Sequence, residues 1–244
     1  PDFLTKAVET NGLCLEFVPM MHQLIENLVF KAVSNNGLAL QYVTNELMKG
    51  GDIGGDIGGD IVQAAVKQNG LALAYAASNL QSDEPTVMIA VKQNGLALQY
   101  AGKALKKNRD IVKAAVNQNG LALAYASSSL QSDEQIVMIA VKQNGLALQY
   151  AHKDLKKSKN IVSVAVNQDG DAFQYASYDL REWDTKYISE VIILNAKVCQ
   201  HVYCSPYRYG LFESEYYIEN LLSNNTDFIR FLPDALRRFG PRRT

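Results

Sequence analysis

Val137-Met138-Ile139-Ala140-Val141-Lys142-Gln143-Asn144-Gly145-Leu146-Ala147-Leu148-Gln149-Tyr150-Ala151-His152-Lys153-Asp154-Leu155 decides the fold. Ile136-Val137 and Ala140-Val141 stand at i, i+1, i+4 and i+5, which forms one apolar stripe on a helix. Asn144-Gly145 interrupts the stripe. A second run follows, with Leu-Ala-Leu, an aromatic residue, a small residue and Leu155 ten positions after the glycine. Rich in Ala and Leu, it predicts a second helix. Helix, turn, helix is the unit.

The unit recurs along the chain. Asn-Gly, once Asp-Gly, ends at Gly12, Gly37, Gly70, Gly95, Gly120, Gly145 and Gly170, at intervals of 25 residues except for the 33 between Gly37 and Gly70. Gly-Gly-Asp-Ile occurs three times between Gly50 and Ile61, and removing two copies takes out eight residues and restores 25. Apolar lanes hold their register throughout. Ile61-Val62, Ile111-Val112, Ile136-Val137 and Ile161-Val162 lead each first helix, and Ala-Val pairs run from Ala7-Val8 to Ala165-Val166. Phe17, Tyr42, Tyr75, Tyr100, Tyr125, Tyr150 and Tyr175 form an aromatic lane in the second segment.

Polar punctuation sets the expected ends. Asp2, Asn27, Asp60, Asp110 and Asn160 stand ten positions before their glycine and are expected as N-caps. Each glycine is expected to close the first helix in a left-handed conformation, which costs it no Cβ clash. Acidic Ser82-Asp83-Glu84 and Ser132-Asp133-Glu134 suit helix starts, and Lys106-Lys107 and Lys156-Lys157 suit helix ends.

A helix of about ten residues is marginal alone, and one hairpin cannot bury its own apolar face. Stacking neighbours solves both problems. The expected fold is all-α, a right-handed α-solenoid of about nine two-helix hairpin repeats of 25 residues each. Seven tandem repeats fill 1–180, with a loop expansion at 50–61. Residues 181–244 carry two degenerate capping repeats, one around Asn195-Ala196 to Val202 and one from Asn225 to Arg238, followed by a basic tail with Arg242 and Arg243.

Composition agrees with a packed protein. The 244 residues are 48% hydrophobic and 20% charged, with 24 basic against 25 acidic side chains, so a disordered or fibrous chain is excluded. A net charge of −1 gives no global argument for nucleic acid or an anionic membrane. The apolar runs, such as Ile136 to Val141, fall far short of the roughly 20 residues of a membrane span. Three cysteines without framework spacing fit a reducing compartment. No signal-peptide pattern is present.

A second period overlies the first. Residues 62–111 and 112–161 agree at 39 of 50 positions. Gln99 and Gln149 alternate with Ala74 and Ala124, and acidic loops at Asp83-Glu84 and Asp133-Glu134 alternate with basic ones at Lys106 to Arg109 and Lys156 to Lys159. Attraction between neighbouring loops and solubility explain the bands; a partner with matching charge spacing is the functional alternative.

The pattern Val-x-x-Ala-Val-x-Gln-Asn-Gly-x-Ala-Leu-x-Tyr-Ala-x-x-x-Leu, in pairs of about fifty residues, resembles the repeats catalogued as domain of unknown function 4116. Val112 to Leu130 and Val137 to Leu155 carry it most clearly. The resemblance covers residues 1 to about 180 well; the Gly-Gly-Asp-Ile insertion and the last sixty residues depart from it. It implies a protein of a bacterium living in a eukaryotic host, or of a protist, either cytoplasmic or secreted into the host cell without a classical signal peptide. No catalytic residues attach to that family, so none are carried over.

Residue chemistry points the same way. The Gly-Gly-Asp-Ile run lacks the Gly-Lys-Ser/Thr ending of a phosphate loop and the nine-residue period of calcium repeats, and reads as a flexible expanded loop. Cys199, His201 and Cys204 have zinc-type donors but no evident fourth ligand, and read as core or half-buried residues. His22, His152 and His201 have no recurring acid and nucleophile beside them, which argues against nucleophilic catalysis. The Gln-Asn pairs before each glycine are expected to satisfy carbonyls at helix ends. These amides, or the row Gln41, Gln99, Gln149 and Gln174, could instead bond the backbone of an extended peptide, and that row is the candidate partner contact. Tyr203 to Tyr217 and the terminal arginines read as a cap with a solvated basic tail.

The expectation is therefore a non-enzymatic scaffold that binds a protein or extended peptide, without cofactor, metal or membrane, and with no nucleic-acid signature. The alternative is a regulatory or targeting segment of a larger enzyme whose catalytic domain lies outside this chain.

Overall fold

The structure is a computed structural model, and it describes residues 2–19, 25–48, 57–198 and 201. All regular structure among them is helical. The first helices of the repeats are α1 (Asp2–Thr10), α2 (Glu26–Asn35), α3 (Ile57–Gln68), α4 (Glu84–Gln93), α5 (Arg109–Gln118), α6 (Glu134–Gln143), α7 (Lys159–Gln168) and α8 (Thr185–Leu194). The chain divides into two compact units, Pro1–Leu130 and Gln131–Thr244. In the first, α1 to α5 pack in series; in the second, α6 packs on α7 and α7 on α8. Each unit is an all-α repeat stack, the solenoid that the lanes predict.

The lanes form the core. In the repeat of α5, Ile111, Val112, Ala115, Val116, Ala122 and Leu123 are fully buried, and the same positions are buried in the repeats of α2, α3, α4, α6 and α7, whereas Phe3 of the terminal repeat is exposed. Each large aliphatic side chain so placed contributes on the order of 2 kcal/mol relative to exposure. Thr86 stands where four other repeats have isoleucine, and its buried hydroxyl has no hydrogen-bond partner.

The second segment is shorter and tighter than a continuous helix. After each Asn-Gly the chain makes six residues of 3₁₀-helix, as in Gly70–Tyr75, Gly95–Tyr100 and Gly145–Tyr150. A bend follows, then a separate turn such as Leu80–Ser82, Leu105–Lys107 or Ser128–Gln131. Competition for one N–H explains the break. Gly102 N–H donates to the Gln81 carbonyl of the preceding repeat (2.8 Å), and Ser127, His152 and Ser177 do the same to Lys106, Gln131 and Lys156 (each 2.9 Å). The donor that would extend the helix ladder instead ties one repeat to the one before it.

Helix starts also lie upstream of the predicted caps. Asn108 caps α5, accepting from the amides of Asp110 and Ile111, while Asp83 and Asp133 cap α4 and α6. Asp110 therefore lies in the first turn, where its charge suits the helix dipole. The last Gly-Gly-Asp-Ile copy is likewise helical from Ile57, giving α3 twelve residues, with Gly58 packed against the Met48 carbonyl too closely for a side chain.

The glycines do not take the left-handed conformation expected of them, and the asparagine before each is extended, φ −146° and ψ 111° at Asn94. Close approach explains their identity. A Cβ on Gly95 would collide with the carbonyl oxygen of Ala115 in the next helix; Gly70 meets Ala90 and Gly145 meets Ala165 in the same way.

The first degenerate repeat is described as far as Val198. Asp184 caps α8 by accepting from the Tyr187 amide, Asn195 ends it, and Ala196–Val198 begins the 3₁₀ segment. Tyr187 fills the leading lane; burial pushes its phenol up to about 12, and its hydroxyl donates to the Lys159 carbonyl at 3.0 Å. The second degenerate repeat and the basic tail lie outside the described residues.

Candidate ligand-binding surface

Most of the repeated polar residues are used between repeats. Gln118 Oε1 accepts the Gly95 N–H (2.6 Å), Gln93 that of Gly70 (2.6 Å), Gln68 that of Gly37 (2.6 Å) and Gln168 that of Gly145 (2.5 Å). The same amides reach back to helix-end carbonyls: Gln118 Nε2 donates to Gln93 O (3.4 Å) and Gln93 Nε2 to Gln68 O (3.3 Å). Asn35 replaces glutamine at the first junction, bonding Gly12 N–H and Glu9 O at 2.8 Å each. The asparagines serve locally, Asn94 Oδ1 accepting from the Leu96 amide at 3.0 Å. Helix-end carbonyls are thus satisfied as expected, but across the junction by glutamine rather than within one repeat.

The basic bands are thinner than the sequence suggests. Lys106 Nζ donates to the Gln99 carbonyl and Lys156 Nζ to the Gln149 carbonyl, each at 2.6 Å, closing the 3₁₀ segment of its own repeat. Gln81 does so for Leu73 (3.1 Å), and Arg181 bonds the Ala176 carbonyl (3.1 Å). Burial pulls the Lys156 ammonium below its ordinary value. Lys107, Arg109, Lys157 and Lys159 remain on the surface, and Lys159 pairs with Asp184 at 2.5 Å, the intramolecular attraction expected of neighbouring loops.

What the junctions leave over is the outer face of the 3₁₀ layer. In this helix residues three apart align. Leu98 and Ala101 are buried, whereas Leu96, Gln99 and Tyr100 are half-exposed, and Leu146, Gln149 and Tyr150 repeat the pattern. Within the first unit the segments stack in series, so Phe17 (81% exposed), Tyr42, Tyr75 (41% exposed), Tyr100 and Tyr125 hold one register. Partial burial, the Glu16 carboxylate and Tyr75 together push the Tyr42 phenol up.

Each candidate glutamine lies on this face of its own unit, Gln41 and Gln99 in the first and Gln149 and Gln174 in the second. Gln41 and Gln174 are exposed, Gln99 and Gln149 half-buried. Gln149 Nε2 donates to the Leu146 carbonyl (3.1 Å) and Gln174 Nε2 to the Asp171 carbonyl (2.9 Å), so each amide is held by its own turn. The half-exposed leucine beside them escapes sequence reading, because it shares a Leu-Ala-Leu run with a buried one. A second surface is an open groove of about 510 Å³ between α4 and α5, lined by Met88, Lys92, Asp110, Lys113 and Ala114.

One ionic cluster departs from the repeat. Asp171 occupies the leucine position, bonding His201 Nε2 (3.1 Å) and Lys197 Nζ (3.3 Å), and Lys197 also pairs with Asp169 at 3.5 Å. The His201 bond and then Lys197 outweigh burial and hold the Asp171 carboxyl below its ordinary value. His201 is thereby a hydrogen-bond partner of Asp171, while Cys199 and Cys204 lie outside the described residues. Among the described residues no three metal-ligating side chains converge, and no helix is long and apolar enough to cross a membrane.

These features define an all-α tandem-repeat protein whose repeats are joined by side-chain amides. The chain belongs to the family described as Domain of unknown function (DUF4116), whose model matches residues 1–48, 59–106, 83–131, 108–156 and 133–181. Each match spans two repeats, and successive matches from residue 59 onward overlap by one, which marks the single repeat as the step of the array. No curated protein and no solved structure matches the chain.

Proposed function

We propose that the protein is a binding scaffold without chemistry of its own, and that the outer 3₁₀ face receives a protein segment or extended peptide. One observation carries this reading: at a fixed register in successive repeats, a half-exposed leucine, a glutamine or alanine and a half-exposed tyrosine adjoin one another, while the repeated Gln and Asn before each glycine and the lysines at Lys106 and Lys156 are engaged by junctions or by their own repeat. Aromatic rings supply contact area at low entropic cost, and amides supply backbone hydrogen bonds. Evenly spaced identical contacts favour an extended ligand over a compact one. A eukaryotic host protein is the partner in the setting we propose.

Partners captured from eukaryotic lysate by cross-linking should be released by Tyr100→Ala combined with Gln99→Ala, with affinity falling about tenfold or more for loss of a hot-spot aromatic. Helical circular dichroism should remain unchanged. Unchanged affinity would remove the ligand from this face, and loss of binding in Lys92→Ala with Lys113→Ala would move it to the groove between α4 and α5.

A further inference from the structure

We propose that the Asn-Gly bonds at Asn36, Asn69, Asn94 and Asn144 are latent modification sites, poised for self-catalysed deamidation and held inactive by the glutamine that crosses the repeat junction at each of them. Asn-Gly is the dipeptide in which this reaction meets least steric hindrance. The glycine nitrogen gives up its proton and attacks the asparagine Cγ. The bond from Cγ to the side-chain nitrogen breaks, and ammonia departs, leaving a cyclic imide. Water then opens the ring at either carbonyl, giving aspartate or isoaspartate. One water is consumed and one ammonia released, with no other reactant.

Both reacting groups are tied in the folded stack. At Asn94-Gly95 the nucleophilic nitrogen donates its hydrogen to Gln118 Oε1 at 2.6 Å. Deprotonation would break that bond and turn two lone pairs on each other. The electrophilic carboxamide is pinned from its other side, since Asn94 Oδ1 accepts from the Leu96 amide at 3.0 Å. Asn69-Gly70 is held in this way by Gln93 and the Leu71 amide, and Asn144-Gly145 by Gln168 and the Leu146 amide. The restraint comes from the next repeat, so opening a junction both exposes the bond and frees its nucleophile.

The seventh repeat shows what one product requires. Asp169 stands in place of asparagine and still caps its segment, accepting from the Asp171 amide at 3.0 Å, with Lys197 as counter-ion. Lys197 follows Ala196 as Leu121 follows Gly120, so the corresponding neighbour of Asn94 is apolar. A carboxylate at Asn94 would lack that cation. Isoaspartate would also add a methylene to the main chain and lose the cap.

Peptide mapping by mass spectrometry of the intact chain, aged at mildly alkaline pH, tests the idea. Native protein should deamidate far more slowly at these sites than the same chain unfolded in urea. Gln118→Ala should raise the rate at Asn94 about fivefold relative to Asn69 and Asn144 in the same molecules, the factor one net hydrogen bond controls. Gln93→Ala should move the rise to Asn69, and Gln118→Glu, which keeps the acceptor oxygen, should leave Asn94 protected. An unchanged rate at Asn94 in Gln118→Ala, an equal rise at every Asn-Gly, or a Gln118→Glu protein that reacts like Gln118→Ala would each overturn the proposal.

Discussion

Gly95 is glycine because of a neighbour rather than a dihedral angle. The Ala115 carbonyl that a Cβ would strike already accepts the Asn119 N–H at 2.9 Å, so it cannot swing away without undoing the end of α5. Sequence reading found the residue and its period but gave it the wrong cause, since a turn glycine and a contact glycine look alike in one dimension. Thr86 is the reverse case, a polar residue legible as an irregularity in an isoleucine lane whose burial appears only in the structure. Thr86→Val keeps the shape and removes an unsatisfied buried hydroxyl. It should stabilise the protein by about 1 kcal/mol, read as a higher urea midpoint with unchanged slope. A lower midpoint would mean that the hydroxyl does have a partner.

At the scale of elements, the 3₁₀ segment is where local propensity yields to the neighbouring repeat. Leu-Ala-Leu-Gln-Tyr-Ala has every property of an α-helix, yet the amide needed to continue it is taken by a carbonyl of the preceding repeat. The last junction was the least legible, because Asp171, Lys197 and His201 lie up to 30 residues apart and carry no shared motif. It also gives the clearest pH prediction. Asp171 is held below its ordinary value by His201 and then Lys197, and Asp184 by Lys159 and then the Tyr187 amide. A carboxyl whose folded pKa is depressed contributes stability above its unfolded pKa and loses it as pH falls through the folded value. Unfolding followed by Trp183, the single tryptophan, should therefore show a steady midpoint above about pH 5 that falls below about pH 4. Asp171→Asn should lower the plateau and flatten the fall; an unaltered acid limb would show that these pairs add nothing.

Across a whole unit, stability is a sum over repeats and junctions rather than a property of one centre. Gly12→Ala and Gly95→Ala introduce the same collision at a terminal and an interior junction of the first unit. Each should cost about 1–3 kcal/mol for overpacking, with different reach. Hydrogen exchange should accelerate in α1 alone for Gly12→Ala, and in both α4 and α5 for Gly95→Ala. Identical exchange patterns would mean that the unit opens as one body. The sequence by itself determined the repeat, its length of 25, the helical class and nearly every buried lane, because periodic burial must be written periodically. It also placed the four glutamines on one lane. Only the tertiary structure decided which repeated polar residues are engaged within the stack and which face solvent. Hydrogen-bond donors and acceptors are claimed by whatever lies nearest in space, and in a stack the nearest group belongs to the next repeat. Gln118 was thereby assigned to a junction and Lys106 to the 3₁₀ segment of its own repeat, and the leucine, glutamine and tyrosine of the 3₁₀ face were left half-exposed.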